Sequence, residues 1–134
     1  MVRVMLVMHE PLGQAFAACA HHVLGTHVSL HVFDIPADAD PDSYCQQIYT
    51  RLADDLDQQT LILCDIFGAT PFNIANRARK LAIEAGGSVS LLAGCNLSML
   101  LKALTYPSDC LQDFQCNVTK IARHAIADPD DLGC

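Results

Sequence analysis

A histidine and an aspartate far apart in the chain, with the turn that follows the aspartate, are the residues whose types and placement can do chemistry. His9 closes the apolar run Val2–Met8, and Asp65 closes the apolar run Leu61–Cys64. After Asp65 comes Ile66-Phe67-Gly68-Ala69-Thr70-Pro71-Phe72-Asn73, a glycine-containing turn that runs into a helix start. Thr70 before Pro71 reads as an N-cap with proline at the first helical position. The backbone N–H groups of the Gly68 to Phe72 turn and the Thr70 hydroxyl then form an anion cradle at a helix N-terminus. A neutral imidazole accepts a phosphoryl group on one nitrogen when a carboxylate holds the N–H of the other, fixing the tautomer and stabilising the cationic ring. The chemistry these residues suggest is a phosphoryl relay. His9 is the acceptor, Asp65 is its partner, and Gly68, Ala69, Thr70 and Phe72 bind phosphate, with no metal or cofactor required. Taken singly, His9 is more often a loop residue and Asp65 often a cap, so the reading depends on the fold bringing them together.

The elements that must do so alternate between two periodicities. Val2–Met8, apolar but for Arg3, and Leu61–Cys64, apolar throughout, read as strands buried on both faces. Val28–Phe33 and Ser88–Gly94 alternate apolar and polar residues and suit sheet edges. Between them lie helical patterns over Leu12–Leu24, closed by Gly25, over a segment capped by Asp40-Pro41 with the stripe Cys45, Ile48, Leu52 and Leu56, and over Pro71–Ala85. Asn96-Leu97-Ser98 opens a short helix closed by Pro107, and a last helix carries Leu111, Phe114, Val118, Ile121 and Ala125. This alternation predicts an α/β fold: an open, mainly parallel sheet of order 2-1-3-4 with helices on both faces, a three-layer sandwich with right-handed crossovers. The chain reverses direction between strands one and three. Ligands of such sheets bind beyond the strand carboxyl ends at that switch point, where His9 and Asp65 both arrive.

Composition narrows the class. With 134 residues and 51% hydrophobic content, the chain is expected to be a single domain, 1–134, with a short acidic tail from about Asp128. A net charge of −7 argues against a nucleic-acid surface. The small basic cluster Arg77, Arg79 and Lys80 reads as the cationic end of the third helix, complementing its dipole. No apolar stretch approaches the ~20 residues that span a bilayer, and Met1-Val2-Arg3-Val4-Met5 lacks signal-peptide character, so a cytoplasmic protein without membrane insertion is expected. The seven cysteines are scattered, without Cys-x-x-Cys spacing, and read as reduced core residues. His21, His22, His27, His31 and His124 have no metal-ligand spacing and read as surface or boundary residues.

Asp65-Ile66-Phe67-Gly68-Ala69-Thr70-Pro71-Phe72-Asn73, His9 after the first strand, and Ala93-Gly94-Cys95-Asn96-Leu97-Ser98-Met99-Leu100 resemble the enzyme IIA domain of the mannose family of the bacterial phosphoenolpyruvate sugar phosphotransferase system. The likeness extends to about Ala127. It implies a phosphotransferase in which His9 takes phosphate from the phosphohistidine of HPr and passes it to a IIB partner, for sugar uptake or as a regulatory signal. Asp65 would bind the imidazole, with Thr70 and nearby backbone at the phosphate. It also implies a homodimer, commonly formed by exchange of a C-terminal edge strand, although Asp128-Pro129-Asp130-Asp131 carries no apolar strand. Where the family usually has proline in an Asn-x-Pro-Met segment this chain has Ser98, a departure that bears on the helix start.

Other readings share the fold class. A receiver domain with Asp65 as acceptor needs an acidic pair after the first strand to hold magnesium, and His9-Glu10 supplies one acid. A flavodoxin-like binder needs a hydroxyl- and glycine-rich loop there, which His9-Glu10-Pro11 is not. The phosphotransfer subunit of a dihydroxyacetone kinase has a comparable histidine but is not expected to carry the Gly-x-Thr-Pro-Phe-Asn turn. A non-enzymatic regulatory interaction domain would use the same surface without turnover.

Overall fold

The two apolar runs lie side by side at the centre of the sheet, as residues buried on both faces must. The computed structural model describes residues 1–131, in the order β1 (Arg3–His9), α1 (Leu12–Leu24), β2 (His31–Ile35), α2 (Pro41–Ala53), β3 (Thr60–Cys64), α3 (Thr70–Glu84), β4 (Val89–Leu92), α4 (Leu97–Thr105) and α5 (Leu111–His124). All pairings are parallel and the strand order is β2-β1-β3-β4. Successive side chains of β1 and β3 enter opposite layers, the period-two consequence of a pleated strand. Val4, Leu6, Met8, Leu61 and Leu63 meet α1, α4 and α5 through Ala20, Leu100, Phe114 and Val118. Met5, Val7, Ile62 and Cys64 meet α2 and α3 through Ile48, Leu52, Ile74 and Ala78. The α/β three-layer expectation and its 2-1-3-4 order hold.

Several boundaries differ from the sequence reading for local reasons. The second strand is His31–Ile35 and not Val28–Phe33, because its ladder runs from Met5↔His31 to His9↔Ile35 and leaves Val28–Leu30 unpaired. The fourth strand stops at Leu92, since Gly94, at φ +80°, turns the chain so that its N–H and that of Cys95 reach back to the carbonyls of Asp65 and Cys64. The third helix ends at Glu84 with no basic residue in its last turn. Arg77 therefore sits mid-helix, paired with Asp42 at 2.9 Å, and Arg79 bonds Asn76 at 3.0 Å, so neither closes the dipole.

The cysteines also divide. Cys45 and Cys64 are buried and Cys95 is half-buried, but Cys19, Cys110 and Cys116 are exposed on α1, at the start of α5 and on α5, so the expectation of core thiols fails for these three. Cys134 lies outside the described residues. Residues 125–131 form no strand, in keeping with their acidic, proline-containing composition. No described helix is long and apolar enough to cross a membrane.

Ser98 does not prevent the short helix from starting. Asn96 caps α4 by accepting the Met99 N–H at 2.9 Å, and its amide also donates to the Ala122 carbonyl at 3.0 Å, tying α4 to the end of α5. Asn96→Ala removes both bonds and should cost about 1–2 kcal/mol, read as a lower urea midpoint at unchanged slope.

Candidate active site

The β1–β3 ladder ends at Val7↔Cys64, and beyond it a side chain takes over the bonding. The Asp65 carbonyl accepts the Gly94 N–H at 2.9 Å, so the next β1 amide is met by the carboxylate: His9 N–H donates to Asp65 Oδ2 at 2.9 Å. The same Oδ2 receives His9 Nδ1 at 2.7 Å, and Oδ1 accepts the Ile66 N–H at 2.8 Å. Residues from two strands thus converge on one carboxylate, as the switch-point reading required.

Burial alone would raise the Asp65 carboxyl. The His9 backbone N–H, the His9 ring and the Ile66 N–H all favour the anion and together hold it below the usual carboxylate range. An ionised carboxylate only accepts, so Nδ1 carries the proton of the neutral ring and the Nε2 lone pair is left for chemistry. The ring is 46% exposed against 8% for the Asp65 side chain, and Nε2 has no hydrogen-bond partner among the described residues. The nearby thiols do not compete as nucleophiles. Burial, then the Asp65 charge, pushes Cys64 far above its ordinary value and Cys95 up to about 12.

The turn after Asp65 is stiff. Ala69 N–H donates to the Ile66 carbonyl at 3.3 Å, the Asn73 amide to the Gly68 carbonyl at 3.0 Å, and Gly68 adopts φ +80°, which disfavours a side chain. The N-cap is Ala69, in extended conformation, and Thr70 is the first helical residue, one position earlier than the sequence pattern suggests. Its hydroxyl is consequently not spent on capping. Of the four cradle residues, Ala69 already uses its N–H within the turn, whereas those of Gly68, Thr70 and Phe72 have no acceptor among the described residues. The turn also presents Ile66, 58% exposed, and Phe67, 79% exposed, the latter against Phe72 at a ring-centroid distance of 4.7 Å.

On the other flank, Glu10 N–H donates to the Ile35 carbonyl at 3.1 Å, and Asp34 of β2 receives Gly13 N–H at 2.7 Å and Gln14 N–H at 3.0 Å. Sequence reasoning missed Asp34. The available signal was Gly13, an early helical glycine where close approach of another group is common. A cavity of about 610 Å³ bordered by Arg3, Leu24, His31 and Thr105 lies at the opposite end of the sheet and shares no residue with this site. The His9 ring, by contrast, is itself 46% exposed.

A family model described as PTS system fructose IIA component matches residues 3–115. The chain belongs to this family. It is a IIA component of a sugar phosphotransferase system, a phosphotransferase part that works with other components of that system. Solved structures of this fold include phosphotransferase system component EIIA from Streptococcus agalactiae, 21% identical, with 96% of this chain and 97% of that one covered at a TM-score of 0.84. The mannose/sorbose-specific IIA subunit from Enterococcus faecalis is 20% identical over 99% of this chain and 98% of its own, at 0.85. The PTS IIA protein associated with the fucose utilization operon of Streptococcus pneumoniae is 16% identical over 97% of each chain, at 0.76. No curated protein matches the chain.

The depressed Asp65 carboxyl gives a stability signature in acid. A carboxylate favoured in the folded state contributes stability that is fully present above its unfolded value of ~3.9 and is lost as pH falls through the lower folded value. Asp65→Asn should cost about 2 kcal/mol at pH 7 from the loss of charge-assisted bonds, and the gap to the parent should narrow below about pH 4, as followed by urea unfolding across pH.

Proposed function

We propose that His9 is the phosphoryl carrier of this IIA component, taking the group from the phosphohistidine of HPr and passing it to a IIB component. The observation that carries the reading is the single oxygen, Asp65 Oδ2, that holds both the His9 N–H and Nδ1, leaving Nε2 outward. In the forward step the Nε2 lone pair forms the new N–P bond as the donor N–P bond breaks. The electron pair of the broken bond stays on the donor's imidazole nitrogen. His9 becomes a phosphoimidazolium with Nδ1–H still on Asp65, and the donor ring returns to neutral, so no net proton moves. Gly68, Thr70 and Phe72 supply N–H groups, and Thr70 a hydroxyl, to the phosphoryl oxygens; Ala69 shapes the turn that presents them. Positioning and these donors suffice for a loose transition state, without a metal.

An exposed acceptor ring with exposed apolar Ile66 and Phe67 in the neighbouring turn suits a protein donor. Covering Ile66 and Phe67 would recover roughly 1.5–3 kcal/mol for each side chain fully removed from water. Phosphorylated HPr is the occupant this reading requires, in the cytoplasm, with the IIA chain a homodimer. The same surface serves a regulatory reading in which phosphorylation state is reported without onward transfer.

Incubation with phosphoenolpyruvate, enzyme I and HPr should add one phosphoryl group by intact mass; acceptance from purified phospho-HPr, with enzyme I removed and chelator added, should persist, and mild acid should remove the group. His9→Ala should abolish the gain; a variant that still gains it displaces His9 from the role. Asp65→Asn should slow transfer by about tenfold to a hundredfold through loss of the charge that stabilises the imidazolium. Phe67→Ser should raise the half-saturating concentration of phospho-HPr several-fold with folding stability unchanged, as read from transfer rates across donor concentration and from urea unfolding.

A further inference from the structure

Two helices begin at the sheet edge that carries His9, α1 directly after its loop and α3 after the Asp65 turn, and they are treated differently. The first-turn N–H groups of α3 at Thr70 and Phe72 have no acceptor among the described residues. In α1 two of them, those of Gly13 and Gln14, are occupied. Its N-cap, Pro11, offers no side-chain acceptor, and the cap comes from β2, where Asp34 Oδ1 takes Gly13 N–H at 2.7 Å and Oδ2 takes Gln14 N–H at 3.0 Å. A carboxylate is thus already resident at the positive end of α1.

The fit is specific. A Cβ at Gly13 would lie 2.5 Å from Asp34 Oδ1 and 2.7 Å from Val32 Cγ1, so residue 13 accommodates the carboxylate only as glycine. Asp34 also sits within the ladder that aligns the acceptor, with Met8↔Asp34 and His9↔Ile35 as successive pairs and Glu10 N–H on the Ile35 carbonyl. The segment from His9 to Gln14 is therefore held by Asp65 at one end and by Asp34 at the other, with the Ile35 bond between.

We propose that Asp34 is a positioning residue for phosphoryl transfer. It fixes the His9–Gln14 loop so that the ring keeps Nδ1 on Asp65 and Nε2 outward. As a resident anion it also takes the Gly13 and Gln14 donors of α1, leaving those of α3 to the phosphoryl oxygens. This rests on the reading of His9 as acceptor. A mere helix cap would affect stability only, whereas a positioning role reaches the acceptor ring.

The test compares the full chain with Asp34→Ala, Asp34→Asn and Gly13→Ala. Transfer from phospho-HPr is measured at saturating and limiting donor, and the His9 ring nitrogens are observed by NMR. Asp34→Ala should slow saturated transfer about tenfold at little changed half-saturation and shift the His9 ring from the Nδ1–H form toward a mixture of tautomers. Asp34→Asn, which keeps one acceptor oxygen, should recover part of both. Should Asp34→Ala not fold, Gly13→Ala displaces the carboxylate without altering it, and the same two changes are expected. A folded variant with a lower melting temperature but parental saturated rate and parental His9 signals overturns the proposal. If the parent chain takes no phosphoryl group, the acceptor reading has failed separately, and parental His9 signals in the variants would still overturn positioning by Asp34.

Discussion

The structure of the site depends on one oxygen atom. Asp65 Oδ2 receives the His9 backbone N–H and the His9 ring together, so the same contact continues the β1–β3 alignment past its last pair and sets the tautomer of the imidazole. Backbone order and ring chemistry are thereby one constraint. The second oxygen, bonded to Ile66 N–H, extends it into the turn, so the carboxylate has little freedom to rotate away from the ring.

This arrangement works because it stands where the sheet reverses direction. β1 and β3 are neighbours although a helix, a strand and another helix intervene between them in sequence, and their carboxyl ends open between the loops that leave for α1 and α3. Both helices bring positive ends to that edge. One has the Gly13 and Gln14 donors bound by Asp34, and the other has Thr70 and Phe72 N–H groups with no acceptor among the described residues. An anion arriving beside His9 meets an asymmetric edge, with one cradle filled and one available.

The turn beside His9 presents two large apolar side chains to solvent. Ile66 and Phe67 are held out by a turn whose internal bonds, Ala69 to Ile66 and Asn73 to Gly68, prevent it from folding these side chains back. Such exposure is unfavourable in the isolated chain, and any contact that covers the two side chains recovers the cost. The 610 Å³ cavity lies at the other end of the sheet, away from His9.

Much of this was legible in the sequence because local rules governed it. Unbroken apolar runs mark strands buried on both faces, alternating runs mark edges, and those two facts give the sheet order and hence the meeting of His9 with Asp65. Boundaries were less legible where a tertiary partner decides them: Gly94 ends β4 by bonding back to Asp65, and β2 begins where Met5 offers a partner to His31. Thr70 shows the limit of a capping pattern, since extended Ala69 takes the cap position and frees the hydroxyl. Exposed Cys19, Cys110 and Cys116 show that an apolar type does not specify a buried site. Gly13 signalled a close approach but not by what: Asp34 lies in another element, and a carboxylate that caps a helix across space leaves no spacing to read. Sequence by itself determined which residues could react and which edge they would share; only the tertiary structure decided which atoms face one another, because side-chain hydrogen bonds between distant elements have no period along the chain.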